Sequence, residues 1–433
     1  MRTGNKRFVK ALVANQQGEL FELDGYAAVG MAGQKLVPLI EAETINMPVG
    51  SEHLYLPDRR PILYNRVMEE FEVLTENPYA PGEPVFPVAA FNAPGYVVTL
   101  ISAYAEEQGA SPLPLFSYGA VGWLKGGFRV AALRVDRERR QDLRLMPQDK
   151  IVAGIARLRR IMPSNRLRAH LEVCALTYGC PAAKNLFLGR YEAPLPTSTH
   201  CNARCLGCLS LQKDSGIVST QERIDFTPTP EEIAEIATYH IKHTKRPVVS
   251  FGQGCEGEPL LAAHVIEPAI RLIRKTTARG TINMNTNASL PSVLERLFEA
   301  GLDSIRVSMN SVRKPYYEAY FRPRGYRFKQ VIESLDLARR KHKFASINYL
   351  NLPGFTDAKP EVEALLSFLA RHPVQMIQWR NLNFDPVRYW QIMGKNRQEP
   401  ELMGMRTLIK RVRHAFPGLK FGYFNPPKET FQT

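Results

Sequence analysis

The stretch Thr197-Ser-Thr-His-Cys-Asn-Ala-Arg-Cys-Leu-Gly-Cys208 decides the reading of this 433-residue chain. Cys201, Cys205 and Cys208 stand in a C-x3-C-x2-C spacing on what must be one short loop. Three thiolates so placed can grip three corners of a cubane cluster, because each soft sulfur takes its own iron. Only three are offered, so a fourth iron stays open to something that is not protein. An open metal position separates a catalytic metal site from a closed structural one, a rule stated for zinc and carried over here to iron. The competing reading is a zinc loop, a closed site that His200 could complete as fourth ligand.

The spacing resembles that of the radical S-adenosylmethionine (SAM) superfamily, in which the open iron chelates the amino and carboxylate groups of SAM. One departure is Gly207, where the family commonly has an aromatic residue before the third cysteine. Farther on, Ser250-Phe-Gly-Gln-Gly-Cys-Glu-Gly-Glu-Pro259 holds Gly257, Glu258 and Pro259, which resemble the family's Gly-Glu-Pro motif for the SAM amino group. Glycines let backbone approach a ligand closely, and a carboxylate beside exposed carbonyls suits an ammonium. Asn283-Met-Asn-Thr-Asn287 and Arg306-Val-Ser-Met-Asn310 resemble the polar strand ends that meet SAM's ribose and carboxylate. The resemblance thus assigns Asn285, Asn287, Ser308 and Asn310 to SAM. Asn351-Leu-Pro-Gly354 is expected to turn beside the adenine, and Arg380 is a candidate for binding a substrate anion.

The chain around these motifs divides by pattern. Residues 1–145 are expected to form a β-rich accessory domain: Phe8–Ala14, the turn at Asn15–Gly18 and Leu20–Leu23 form a hairpin pattern, and residues 45–128 are rich in proline and glycine. Residues 146–190 are expected to be a helical connector, with Ile151, Ile155, Leu158 and Ile161 at helical spacing before Pro163, and Ser164 or Asn165 capping a second helix. Residues 191–385 alternate strands and helices. Strands are expected near 246–252, 281–286, 304–309, 345–350 and 376–382, with helices between them and a capping box at Thr229–Glu232. With a strand before Cys201 the count is six, which matches the partial (β/α)6 barrel that the resemblance implies. The fold class is therefore α/β, with crossover helices and parallel strands. Residues 386–433 are expected to be a basic helical extension.

Net charge is +15, from 57 Lys and Arg against 42 Asp and Glu. Residues 201–433 hold +12 of it, and the densest stretches are 129–168 and 306–343. Such density is either a footprint for a polyanion or the solvated face of helices. The N-terminus is basic with no apolar stretch behind it, and no apolar run reaches the roughly 18 residues of a membrane span. Six cysteines, three of them clustered, suit a reducing compartment, so the expected location is cytoplasmic.

The resemblance implies an enzyme in which a reduced [4Fe–4S] cluster on Cys201, Cys205 and Cys208 cleaves SAM to a 5′-deoxyadenosyl radical that abstracts hydrogen from a substrate. It implies a one-electron reductant such as flavodoxin or ferredoxin. The two basic faces and the extra domain point to RNA or a peptide as substrate. Cys174, Cys180 and Cys255 are either ligands of a second cluster, or Cys255 is a thiol that meets a radical intermediate. The alternatives are a zinc protein that binds nucleic acid and a glycyl-radical activating enzyme.

Overall fold

Strand and helix signals along the second half of the chain resolve into one parallel sheet. The computed structural model describes residues 7–213, 215–394 and 401–431. Its parallel strands are β1 (Glu192–Pro194), β2 (Val248–Phe251), β3 (Thr281–Thr286), β4 (Ser304–Met309), β5 (Phe344–Asn351), β6 (Met376–Asn381) and β7 (Lys420–Gly422). Each pairs with the next in sequence order. The first six are the expected strands. The seventh comes from the segment expected to be a helical extension, which also contains the helix Met405–Ala415.

The helices begin where backbone chemistry allows. In the connector, α1 (Gln148–Ile161) buries Ile151, Ile155 and Leu158, while Ile161 at its last turn is exposed. Asn165 rather than Ser164 caps α2 (Arg166–Leu176), accepting from the backbone N–H of Arg168 at 2.9 Å. A short α3 (Pro181–Phe187) follows. The expected capping box opens α4 (Pro230–His243), with Thr229 Oγ1 accepting from Glu232 N and the Glu232 carboxylate accepting from Thr229 N. Then come α5 (Ala263–Thr276), α6 (Pro291–Ala300), α7 (Lys314–Phe321), α8 (Phe328–Arg340) and α9 (Lys359–Arg371). Helix α7 was not expected. Its eight residues carry four aromatic rings with no single apolar stripe, so periodicity gave no signal.

The N-terminal region is an antiparallel β structure, as composition implied. The expected hairpin pairs Leu12 with Glu22, and Asn15 closes its turn by accepting from Gln17 N and Glu19 N. This β structure docks at the carboxyl ends of β5 and β6. Asn381 at the end of β6 accepts from Val98 N at 2.9 Å and donates to Tyr96 O at 3.0 Å. Gly354, after β5, adopts φ +86°, and a Cβ there would lie 2.1 Å from Gly33 N. Only glycine fits that approach. The turn expected beside the adenine therefore meets the N-terminal domain.

Candidate functional site

Carboxyl ends of parallel strands collect ligands, and here they gather the two motifs that sequence placed fifty residues apart. The cysteine loop follows β1. The Gly-Glu-Pro segment follows β2. Gly257 N donates to Ser198 O at 2.7 Å and Glu258 N donates to His200 O at 2.8 Å, so the two loops run side by side. A Cβ at Gly257 would lie 1.9 Å from His200 O, which leaves glycine as the one residue that permits the pairing.

A buried carboxylate that sequence reading passed over fastens this junction. Glu256 accepts from Thr197 N and Ser198 N on one side and from Gly252 N and Gln253 N on the other, all within 3.0 Å. Burial pushes its carboxyl up to about 7 against the pull of those four donors. Glu258 is buried beside it, pushed up to about 7 chiefly by burial. Its carboxylate accepts from Asn287 N at 2.8 Å, from Leu260 N at 3.2 Å and from the Thr286 hydroxyl, joining the end of β2 to the end of β3.

The cysteine loop is held from its other flank by α7. Arg204 N donates to Phe321 O at 2.9 Å and Leu206 N to Tyr320 O at 3.0 Å. A Cβ at Gly207 would lie 2.8 Å from both Tyr320 Oη and Asn383 O. The Tyr320 hydroxyl of α7 thus fills the space beside Gly207. Burial pushes the Cys201 thiol up to about 12 and raises Cys205 as well, so both are protonated until a metal displaces the protons. Arg223 Nη2 donates to Cys208 Sγ at 3.6 Å. Three half-buried soft donors on a loop with fixed backbone fit a cluster that takes three protein ligands. The zinc alternative needs His200 among them. His200 instead pairs with Thr199 Oγ1 at 2.6 Å and is exposed.

The residues expected to contact SAM divide. Asn287 joins the junction, donating to Asn202 Oδ1 at 2.7 Å. Asn285 donates to Gly252 O at 2.9 Å, and a Cβ at Gly252 would lie 1.7 Å from Asn285 O. Asn310 is fully buried, donating to Tyr316 O and Tyr389 Oη at 3.0 Å each. These three asparagines already hold protein. Ser308 is half-buried on the same strand face as Arg306. Cys255 is buried, and its sulfur packs with Cys174 and His170 of α2.

Inside the sheet a polar lumen continues from this junction. Glu192 accepts from Asn425 Nδ2 at 2.7 Å, Asn283 Nδ2 donates to Ser250 Oγ at 3.2 Å, and Gln378 Nε2 donates to Asn425 Oδ1 at 3.1 Å. Arg306 Nη1 donates to Gln378 Oε1 at 3.1 Å, and the Arg380 guanidinium lies 3.8 Å from the Tyr423 ring centre. Burial first, and the neighbouring Arg380 charge second, draw the Arg306 guanidinium down to about 9, still protonated at neutral pH. The Nε atoms of both arginines are buried without a partner. A cavity of about 540 Å³ opens elsewhere, near the amino ends of the strands, beside Tyr191, Thr244 and Pro427. It lies away from the cysteine loop, so we place the chemistry at the loop.

Nine of the 23 Lys and Arg in the two dense basic stretches pair with carboxylates within the fold. Arg139 and Arg144 meet Asp142, Arg159 and Arg168 meet Glu172, Arg166 meets Glu232, Arg313 meets Glu361 and Lys341 meets Glu295. Missed by sequence reading were Glu256, Arg306, Tyr320, His170 and Asn425. Arg306 had a signal, since it stands two residues before Ser308 on one strand face. Asn425 had none.

Residues 195–368 match the family described as the radical SAM superfamily. Molybdenum cofactor biosynthesis protein 1 of Mus musculus is 25% identical over 227 residues, 51% of this chain and 31% of that protein. GTP 3′,8-cyclase of Microcystis aeruginosa is 27% identical over 241 residues, 54% of this chain and 67% of that protein. The same-named protein of Lactiplantibacillus plantarum is 26% identical over 196 residues, 45% of this chain and 54% of its own length. The chain therefore spans about a third to two thirds of the length of these relatives. Among solved structures, methylornithine synthase superposes with a TM-score of 0.37 at 15% identity, covering 62% of this chain and 76% of that one.

Proposed function

The chain belongs to the radical SAM superfamily through residues 195–368, and from that premise we propose an enzyme that takes hydrogen from a small anionic substrate. The superfamily's cofactors are a [4Fe–4S] cluster and SAM. The observation that carries the reading is the pairing of the Gly257–Glu258 backbone with that of Ser198 and His200, which sets the SAM motif against the cysteine loop.

When bound, the two cofactors supply one-electron cleavage of a SAM carbon–sulfur bond, giving methionine and a 5′-deoxyadenosyl radical that removes a hydrogen atom from substrate. The chain's own part is binding, orientation and exclusion of water. Cys201, Cys205 and Cys208 would hold the cluster. Glu256 and Glu258 fix the loops around it, and backbone carbonyls of the Gly-Glu-Pro segment offer acceptors to an ammonium. Ser308 offers a hydroxyl toward SAM. The N-terminal domain, docked at the ends of β5 and β6, covers one side of the strand ends and would keep water from a radical.

Arg306 and Arg380 favour an anionic substrate in the lumen, since two guanidinium groups converge there with one carboxylate, Glu192, in the same network. GTP, named in two of the relatives, is an anion of that kind. The relatives support the class and not GTP itself. RNA or a peptide is the second reading, favoured by exposed basic residues of the two stretches such as Arg160 and Arg340. The reductant would be a one-electron carrier of the flavodoxin or ferredoxin class. A cytoplasmic location fits thiolates that must stay reduced. Among the described residues no helix is long and apolar enough to cross a membrane.

The test is anaerobic. Reconstituted protein with SAM and dithionite should release 5′-deoxyadenosine and methionine, and the Cys201/Cys205/Cys208→Ala variant should release neither. Equal release from both would sink the reading.

A further inference from the structure

Outside the cysteine loop, a second set of soft ligands converges. His170 and Cys174 stand four residues apart on α2, so their side chains share one helix face. His170 Nε2 lies 3.4 Å from Cys174 Sγ. The third member, Cys255, reaches them from the turn after β2. One ligand atom from each of the three lies within 4.8 Å of the other two. Cys174 and Cys255 are buried, and the His170 ring stands edge-on to Phe226.

Those separations say how many metal ions the group suits. Zinc bonds of about 2.3 Å to sulfur and about 2.0–2.1 Å to nitrogen, at tetrahedral angles, place two ligands of one ion about 3.6–3.8 Å apart. Ligands of a cubane stand farther apart, because each sulfur binds a different iron. Among the described residues no other three His, Cys, Asp or Glu side chains approach within 4.8 Å of one another, the three loop cysteines included. One protein thus shows both spacings, open for the loop and tight for this group.

We propose that His170, Cys174 and Cys255 hold a single zinc-class divalent cation. Cys180, whose N–H donates to Cys174 O at 2.9 Å, is not one of the converging group. Cys255 immediately precedes Glu256, so the ion would tie α2 to the turn that carries Glu256 and Glu258. Its role would be to hold that turn rather than to take part in chemistry, and it is independent of the cluster.

The experiment measures metals in full-length chain purified without oxygen from zinc-supplemented cells. Wild type and the Cys201/Cys205/Cys208→Ala variant should each carry about one zinc, with a zinc absorption edge fitted by mixed sulfur and nitrogen ligands. A His170→Ala/Cys174→Ser variant should lose that zinc and keep about four irons after reconstitution. Three results would overturn the proposal: no zinc in either of the first two proteins, about four irons remaining in the triple-alanine variant, or a Cys174–Cys255 disulfide in the native protein's mass. If the His170/Cys174 variant does not fold, the first two proteins and their edge spectra still decide.

Discussion

Tyr320 Oη occupies the space that a side chain on Gly207 would need: a Cβ there would stand 2.8 Å from it. The cysteine loop and α7 therefore fit each other as a pair. Gly207→Ala should cost about 1–3 kcal/mol, as overpacking does, and lower iron retention after reconstitution. Paired with Tyr320→Phe it should regain part of both, because the hydroxyl is one of the two atoms in the way. Thermal midpoint and iron per chain read this out. A Gly207→Ala protein matching wild type on both would show that the loop shifts freely.

Glu256 accepts four backbone N–H groups that belong to two loops. An amide at that place turns one acceptor into a donor facing donors. Each N–H left unpaired in a buried site costs about 1–3 kcal/mol. Glu256→Gln should therefore loosen both loops at once, lowering iron content and weakening SAM binding by equilibrium dialysis. If only one of the two fell, the residue would not be the common anchor.

Arg59, from the N-terminal domain, is buried against Asp385 at 3.3 Å, and it also donates to Glu106 and Ser111 O at 2.9 Å each. Asp385 is fully buried and accepts from Leu113 N at 3.0 Å. Removing one partner of a buried pair costs about 3–5 kcal/mol, because the other charge is stranded. Arg59→Met should show that loss in denaturant unfolding. Arg59→Met with Asp385→Asn should lose less than the sum of the single changes, and strict additivity would refute the coupling.

What sequence made legible is what chemistry writes locally. The capping box at Thr229, the strand bounds at Thr281–Thr286 and Ser304–Met309, and the cysteine spacing each depend on neighbours within a few residues. Glu256 was hidden for the opposite reason, since its four donors come from two loops that meet only in the fold. Tyr320 was hidden because α7 has no apolar period, and nothing at position 207 hinted at which side chain fills the space beside it. His170 joins Cys255 across eighty-five residues, and pairing at that distance leaves no pattern. Residues 386–433 read as a helical extension because β7 is only three residues long, too short for alternation to show.

His240 on α4 is buried, with its Nε2 3.2 Å from Tyr191 O. Burial draws its pKa from 6.5 down to about 4. The fold accepts the neutral ring, so this contribution is present above about pH 6.5 and is lost as pH falls toward 4. Between pH 7 and pH 5 the loss should be about 2 kcal/mol. Unfolding midpoints of wild type and His240→Asn at the two pH values isolate the effect. The variant should lose less stability than wild type on acidification, and an equal loss in both would assign it to other groups.

Arg306 and Arg380 face one lumen, and each has an Nε with no partner. A phosphate or carboxylate between them would satisfy both and offset the burial and the neighbouring Arg380 charge that draw Arg306 down. A hydrogen bond to a charged group is worth about 1.5–3 kcal/mol, a factor of roughly ten to a hundred in affinity. Pyrophosphate and GTP serve as probes by calorimetry on the reconstituted protein. Arg306→Gln and Arg380→Gln should each weaken binding by about that factor, and raised salt should weaken wild type more than either variant. Were neither probe to bind wild type, or were the variants to bind it unchanged, the two arginines would not form an anion site.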